Sequence, residues 1–240
     1  MPSTPLDSAL FRDMFGTEAM RAVFADQALV GRFLEVEAAL ARAEAKLGVI
    51  PAEAARAIEA ASRTMTIDWD RFRQETETVG YPIIALVHQL ADAAGEAGRY
   101  VHWGATTQDV MDTATVLQLR AALDLVAADI EALRGTLAQL ARTHRDTPMA
   151  GRTHLQQALP VTFGYKAAVW LSMLDRHAER LVQLRPRVEM GQFAGAAGTL
   201  ASLGERGFAV QAAFCAELGL AAPPITWHVA RDGIAEAVTL

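Results

Sequence analysis

Cysteine is nearly missing from this chain: Cys215 is the only one in 240 residues. An intramolecular disulfide is therefore excluded, which suits a reducing cytoplasm. Aromatic residues are scarce at 7%, and alternating Val/Ile/Thr runs are scarcer, so a sheet-rich fold is not expected. No apolar run is long enough to span a bilayer. The N-terminal stretch MPSTPLDSALFRDMFG lacks a basic segment followed by an apolar one, so it does not read as a secretion signal. The net charge of −6 excludes a general attraction to nucleic acid or to anionic membrane. No His/Cys/carboxylate spacing matches a zinc or calcium motif, and no metal or other cofactor is expected. There is no Gly-Lys-Ser/Thr phosphate loop and no GxGxxG fingerprint behind a strand.

What is present is Ala- and Leu-rich helical pattern. Hydrophobic residues make up 52% of the chain, enough for a large core. Phe33, Val36, Leu40, Ala43 and Leu47 recur at three- and four-residue steps, which predicts a helix over about 29–47. Gly48 and Pro51 stop it. Further helices are predicted from Pro51 to Arg63, after Asp68, and from Pro82. Leu119, Leu123, Val126, Ile130, Leu133, Leu137 and Leu140 then form a heptad-like seam. It predicts a helix over about 109–145, about 55 Å long at about 1.5 Å per residue. A polar loop is expected over 146–160, then a second long helix to Val188 with Pro186 near its end. Shorter helices are expected over 205–218 and from Val229. This is an all-α pattern, divided into an N-terminal helical domain, 1–108, and part of a long-helix bundle domain, 109–240.

Three polar stretches interrupt it. The first is HWGATTQDVMDTA, His102 to Ala114. Thr106 to Asp109 fits a capping box, with Gly104 permitting the turn. The same helix start, with two threonine hydroxyls, would also receive a carboxylate. The second is GRTHLQQALP, Gly151 to Pro160. It reads either as a solvated loop or as a set that donates hydrogen bonds, moves a proton near neutral pH and counters negative charge. The third is the glycine-rich run GQFAGAAGTLASLG, Gly191 to Gly204. Close helix packing and a substrate-covering turn fit it equally.

Taken in order around two long helices, HWGATTQDVMDTA, GRTHLQQALP and AGAAGTLASLG resemble the fumarase/aspartase superfamily. Gln108, His102-Trp103 and the later TWHVARD stretch look most like its 3-carboxy-cis,cis-muconate cycloisomerase branch. The resemblance implies an N-terminal helical domain, a central bundle and a C-terminal helical domain. It also implies a homotetramer whose sites each draw on three subunits, acting on a small polycarboxylate without a cofactor. Carried onto this chain, His154 and Thr153 stand at the reacting centre with His102 assisting. Thr106, Thr107, Gln108, Arg152, Gln156 and Thr199 bind substrate. Asp109 orders the loop, and Gly104 permits its turn.

The implied reaction interconverts 3-carboxy-cis,cis-muconate and carboxymuconolactone in aromatic-acid catabolism. The alternatives are an adenylosuccinate-type lyase and a catalytically incomplete oligomerisation fragment. The superfamily's serine loop, Gly-Ser-Ser-x-Met-Pro-x-Lys-x-Asn, does not occur in these 240 residues. The expectation is therefore that the C-terminal domain is absent here and that this chain is the N-terminal part of a longer protein.

Overall fold

The computed structural model describes residues 4–240, so residues 1–3 of the expected N-terminal domain lie outside the described residues. Two short 3-10 turns, Pro5–Asp7 and Arg12–Met14, come first, followed by helices α1 (Glu18–Val23), α2 (Asp26–Lys46), α3 (Ala52–Thr64), α4 (Trp69–Val79) and α5 (Ile83–Ala94). A 3-10 stretch, Gly95–Tyr100, leads into α6 (Thr107–Thr143). The strands β1 (Pro148–Thr153) and β2 (Gln156–Thr162) follow, then α7 (Phe163–Val188). A further 3-10 stretch, Ala201–Arg206, precedes α8 (Gly207–Glu217), and α9 (Asp232–Thr239) follows.

The sequence punctuation sets these boundaries. At the end of α2, Gly48 has φ of 67°, the left-handed conformation that glycine adopts without steric cost. The Val49 N–H then reaches the Glu44 carbonyl at 2.8 Å, and the Gly48 N–H reaches Ala45 at 3.0 Å, a Schellman closure. Asp68 caps α4 by accepting from the Arg71 N–H at 3.0 Å. Where α6 turns back into α7, a side chain at Gly164 would sit 2.6 Å from the Ala141 carbonyl. Only glycine lets the two long helices approach so closely there.

The largest core joins Phe33, Val36 and Leu40 of α2 to Leu86 of α5, Leu117 of α6 and Phe214 of α8. It packs residues from both sides of position 108. The heptad seam on α6 is buried at Leu123 and partly packed at Leu119, but Leu133 is 52% exposed. A seam needs neighbours on all sides, and this chain supplies chiefly α7. Val169, Trp170, Met173 and Val182 of α7 are likewise exposed.

Two segments differ from the sequence reading. Residues 148–162, expected as a loop, form an antiparallel hairpin with an irregularity between Ala150 and Arg152. Its two-residue turn is His154-Leu155, both at positive φ (45° and 61°). Such turns normally announce themselves as Asn-Gly, and that signal is missing here. The helix expected over 205–218 begins only at Gly207, because Gly204 breaks the backbone with φ 55° and ψ −135°.

One buried acid is out of keeping with the core around it. Glu44 of α2 is fully buried, and neither carboxyl oxygen has a hydrogen-bond partner. Burial, with the Glu37 carboxylate adding to it, pushes its pKa from an ordinary 4.5 to about 9. The folded chain thus holds an extra proton between those values. This contribution to stability is complete below the unfolded pKa and is lost as pH rises toward the folded one. Keeping Glu44 neutral at pH 7.5 costs on the order of 4 kcal/mol at about 1.4 kcal/mol per pH unit. Glu44→Met is therefore expected to stabilise the chain, and by about 4 kcal/mol more at pH 8 than at pH 5. Urea unfolding at the two pH values checks this. An equal gain at both would show that the acid does not titrate as described.

Candidate functional site

Three stretches that are distant in sequence meet at the start of α6, and Asp109 ties them together. Asp109 is buried, and its carboxyl group accepts four hydrogen bonds. Oδ2 takes the N–H of Thr106 at 3.0 Å, half of the capping box, and the N–H of Gly195 at 2.9 Å. Oδ1 takes the N–H of Ala194 at 3.0 Å and lies 2.7 Å from His228 Nε2. One turn along the helix, buried Asp112 receives Gln108 Nε2 at 2.8 Å and Arg231 Nη1 at 2.7 Å. The next residue, Thr113, exchanges hydrogen bonds with the backbone of Gln192 at 2.9 and 3.0 Å. The helix start, the glycine-rich run and the TWHVARD stretch are thereby locked into one unit.

The glycine-rich run divides into a packed part and an exposed part. Its first part, Gly191 to Gly195, is buried against α6. Gly195, with φ of 73°, turns the chain so that Ala196, Ala197 and Thr199 are exposed. Thr106, Thr107 and Gln108 are half-buried at the helix start. The first turn offers the positive end of the helix dipole, but Asp109 already sits within that turn and offsets part of it. The dipole alone is therefore a weak attraction for an anion here, and hydroxyls or a nearby cation would have to add to it.

His102 is the imidazole beside this helix start. Its Nδ1 lies 2.6 Å from Glu37 Oε1, and its backbone N–H donates to Glu37 Oε2 at 3.1 Å. Glu37 is 2% exposed on the core face of α2. Burial works against the charged imidazole, but the Glu37 carboxylate and, farther off, Asp109 outweigh it and hold the His102 pKa above its ordinary value. His102 also has φ of 62°, a conformation uncommon outside glycine. Gly104, with φ of 70°, completes the turn against Leu203. The thiol of Cys215 is buried and pushed up to about 11, mainly by that burial, so it is no nucleophile at neutral pH.

The second motif is elsewhere. Arg152, Thr153, His154 and Gln156 are all exposed around the hairpin tip, with Leu155 fully projecting. The hairpin follows the far end of α6, and α6 has 37 residues. At about 1.5 Å per residue the two motifs are separated by about 55 Å. The structure thus brings His102, Gly104, Thr106, Thr107, Gln108 and Asp109 together and places Arg152, Thr153, His154 and Gln156 at the opposite end. Among the described residues, no group of three or more His, Cys, Asp or Glu is arranged to hold a metal ion. No helix among them is long and apolar enough to cross a membrane.

Sequence reasoning assigned no role to Glu37, Asp112, His228 or Arg231. A signal for Glu37 was present, since an acid four residues after Phe33 and three before Leu40 falls on the buried face of α2. His228 and Arg231 lie in TWHVARD, but nothing local says which acids they meet 119 residues away.

Comparison with known proteins agrees with this architecture. The sequence pattern of the lyase family matches residues 14–239. The 3-carboxy-cis,cis-muconate cycloisomerase of Pseudomonas aeruginosa is 50% identical over 95% of this chain and 50% of its own length. The adenylosuccinate lyase of Pyrococcus abyssi is 43% identical over 92% of this chain and 50% of its own. The crystal structure of a fumarate lyase from Mesorhizobium sp. BNC1 is 60% identical, with a TM-score of 0.92 over 94% of this chain and 53% of that one. The chain therefore spans about half the length of the curated relatives it matches.

Proposed function

This chain belongs to the lyase family, within the fumarase/aspartase superfamily, and from that premise we propose that the protein containing it is a cycloisomerase of tricarboxylic muconates. The substrate is 3-carboxy-cis,cis-muconate, the product carboxymuconolactone, and the setting protocatechuate catabolism in the cytoplasm. One carboxylate oxygen adds to a carbon of the diene, and the carbon next to a second carboxylate takes up a proton. A C–O and a C–H bond form, one π bond is lost, and substrate and product are isomers.

The observation that carries this reading is the polar wall at the start of α6. Negative charge builds on the carboxylate beside the carbon that is protonated. Thr106 and Thr107 hydroxyls and the His102 imidazolium, held by Glu37, stand where they stabilise such a charge. Gln108 and Thr199 line the approach, and Asp109 keeps the wall assembled. His154 and Thr153, with Arg152 and Gln156, complete the centre from other subunits of a homotetramer. The 55 Å between the motifs supports such sharing, and the exposed apolar residues of α6 and α7 suit subunit packing.

The adenylosuccinate lyase at 43% identity supports a second reading, cleavage of a succinyl group from a purine nucleotide. Exposed Leu133, Val169, Trp170, Met173 and Val182 favour a third, a purely oligomerising segment. One experiment separates them. The full-length protein is given 3-carboxy-cis,cis-muconate and, separately, adenylosuccinate, and product is followed by chromatography. Lactone formation with no release of AMP is expected. AMP release alone would establish the second reading, and no turnover of either would leave the third.

A further inference from the structure

We infer that Glu37 is a positioning residue that fixes His102 so that its Nε2 is offered as a hydrogen-bond donor to an anionic group of the substrate. The inference rests on the reading above only in that the start of α6 receives a polycarboxylate.

The geometry is a two-point hold. Glu37 binds the imidazole through one oxygen and the backbone N–H of the same residue through the other, at 2.6 and 3.1 Å. One carboxylate thereby sets both the ring orientation and the unusual positive φ of His102. Glu37 is held in the core of α2, and the His102 side chain is only 14% exposed. That is a fixed arrangement, unlike a surface ion pair that water and salt dissolve.

Among the described residues, His102 Nε2 has no partner. With Nδ1–H donating to Glu37, Nε2 carries a proton only if the ring is an imidazolium. The neutral ring would present a lone pair there and repel a carboxylate. Anion binding at His102 therefore depends on the charge that Glu37 maintains. The charged groups acting on His102 are Glu37 from α2 and Asp109 from α6. His228, from the segment before α9, lies on the far oxygen of Asp109. Glu44, about two turns of helix beyond Glu37, stays neutral through its own burial. Among the described residues, Glu37 is thus the only acid hydrogen-bonded to the ring.

The test uses the full-length protein, its Glu37→Gln and His102→Gln variants, and the double variant. Gln at 37 keeps shape and hydrogen bonding but removes the charge. Two readouts are taken. Histidine NMR, assigned with His102→Gln, follows the His102 ring through pH 5–9. Calorimetry measures binding of tricarballylate, a stable tricarboxylate, at pH 7.5. In Glu37→Gln the ring is expected to titrate at or below the ordinary histidine value. About one molecule in ten would then be charged at pH 7.5, so tricarballylate affinity falls severalfold, in step with the charged fraction lost. His102→Gln is expected to lose as much, and the double variant little further. Unchanged His102 titration in Glu37→Gln overturns the inference. So does full affinity in either single variant, or absence of tricarballylate binding to the parent. Failure of the parent to lactonise the muconate would instead count against the proposed reaction, and both readouts here would still decide the role of Glu37. Unequal melting temperatures among the variants are handled by the ring titration, which is measured on the folded fraction.

Discussion

Asp109→Ala is expected to lower unfolding free energy by about 3–5 kcal/mol, the largest loss from any single replacement at the start of α6. Alanine removes the acceptor for three backbone N–H groups, those of Thr106, Ala194 and Gly195, and for His228. Each donor left buried without a partner costs about 1–3 kcal/mol, partly relieved by water entering the space. Thr106→Ala gives the comparison, because it touches only the helix cap and should cost about 1 kcal/mol. Asp109→Asn should fall between them, since its amide accepts through one oxygen and turns N–H toward N–H on the other side. Urea midpoints followed by circular dichroism rank the three. If Asp109→Ala cost no more than Thr106→Ala, the four-bond junction would not be holding the three segments together.

That junction also marks what the sequence can and cannot convey. The long helices were legible because their signal is local. Hydrophobic spacing, Asp68 as a cap, Gly48 and Pro51 as stops, and the Thr106–Asp109 box all act within a few residues. Asp109 was read as ordering a loop, but only one of its four bonds is local. Those to Ala194, Gly195 and His228 span 85 to 119 residues, and no pattern in one sequence encodes such pairings. The hairpin over 148–162 was missed for a different reason. Its turn uses His154 and Leu155 at positive φ, where neither residue is favoured. Local preference therefore pointed away from the structure at a candidate site residue. Positive φ at a β-turn histidine costs of order 1 kcal/mol or more and persists only when surroundings or function require it. His102 shows the same conflict at the other end of α6.

His154→Gln, made in the full-length protein, is expected to lower kcat by about a hundredfold or more while leaving the fold intact. The side chain is exposed at the hairpin tip, so no core contact is lost. The loss should stay at the low end of the range for acid–base groups, because the group displaced in the reverse reaction is a carboxylate, which hardly needs a proton. His154 then serves more by charge and orientation than as an obligatory acid. Thr107→Ala, at the other end of α6, should also be impaired, chiefly in KM. The 37-residue helix keeps these two sites about 55 Å apart in any one chain. If an active centre combines the helix start of one subunit with the hairpin of another, the defects are complementary. Mixed tetramers refolded from equal amounts of the two variants would then contain centres with neither lesion. Random assembly makes about a quarter of them intact, so activity should return to about a quarter of the parent level. Recovery no better than the mean of the two variants would mean that each centre lies within one chain. That outcome would conflict with the helix length itself, and so would require a different location for either the threonine or the histidine.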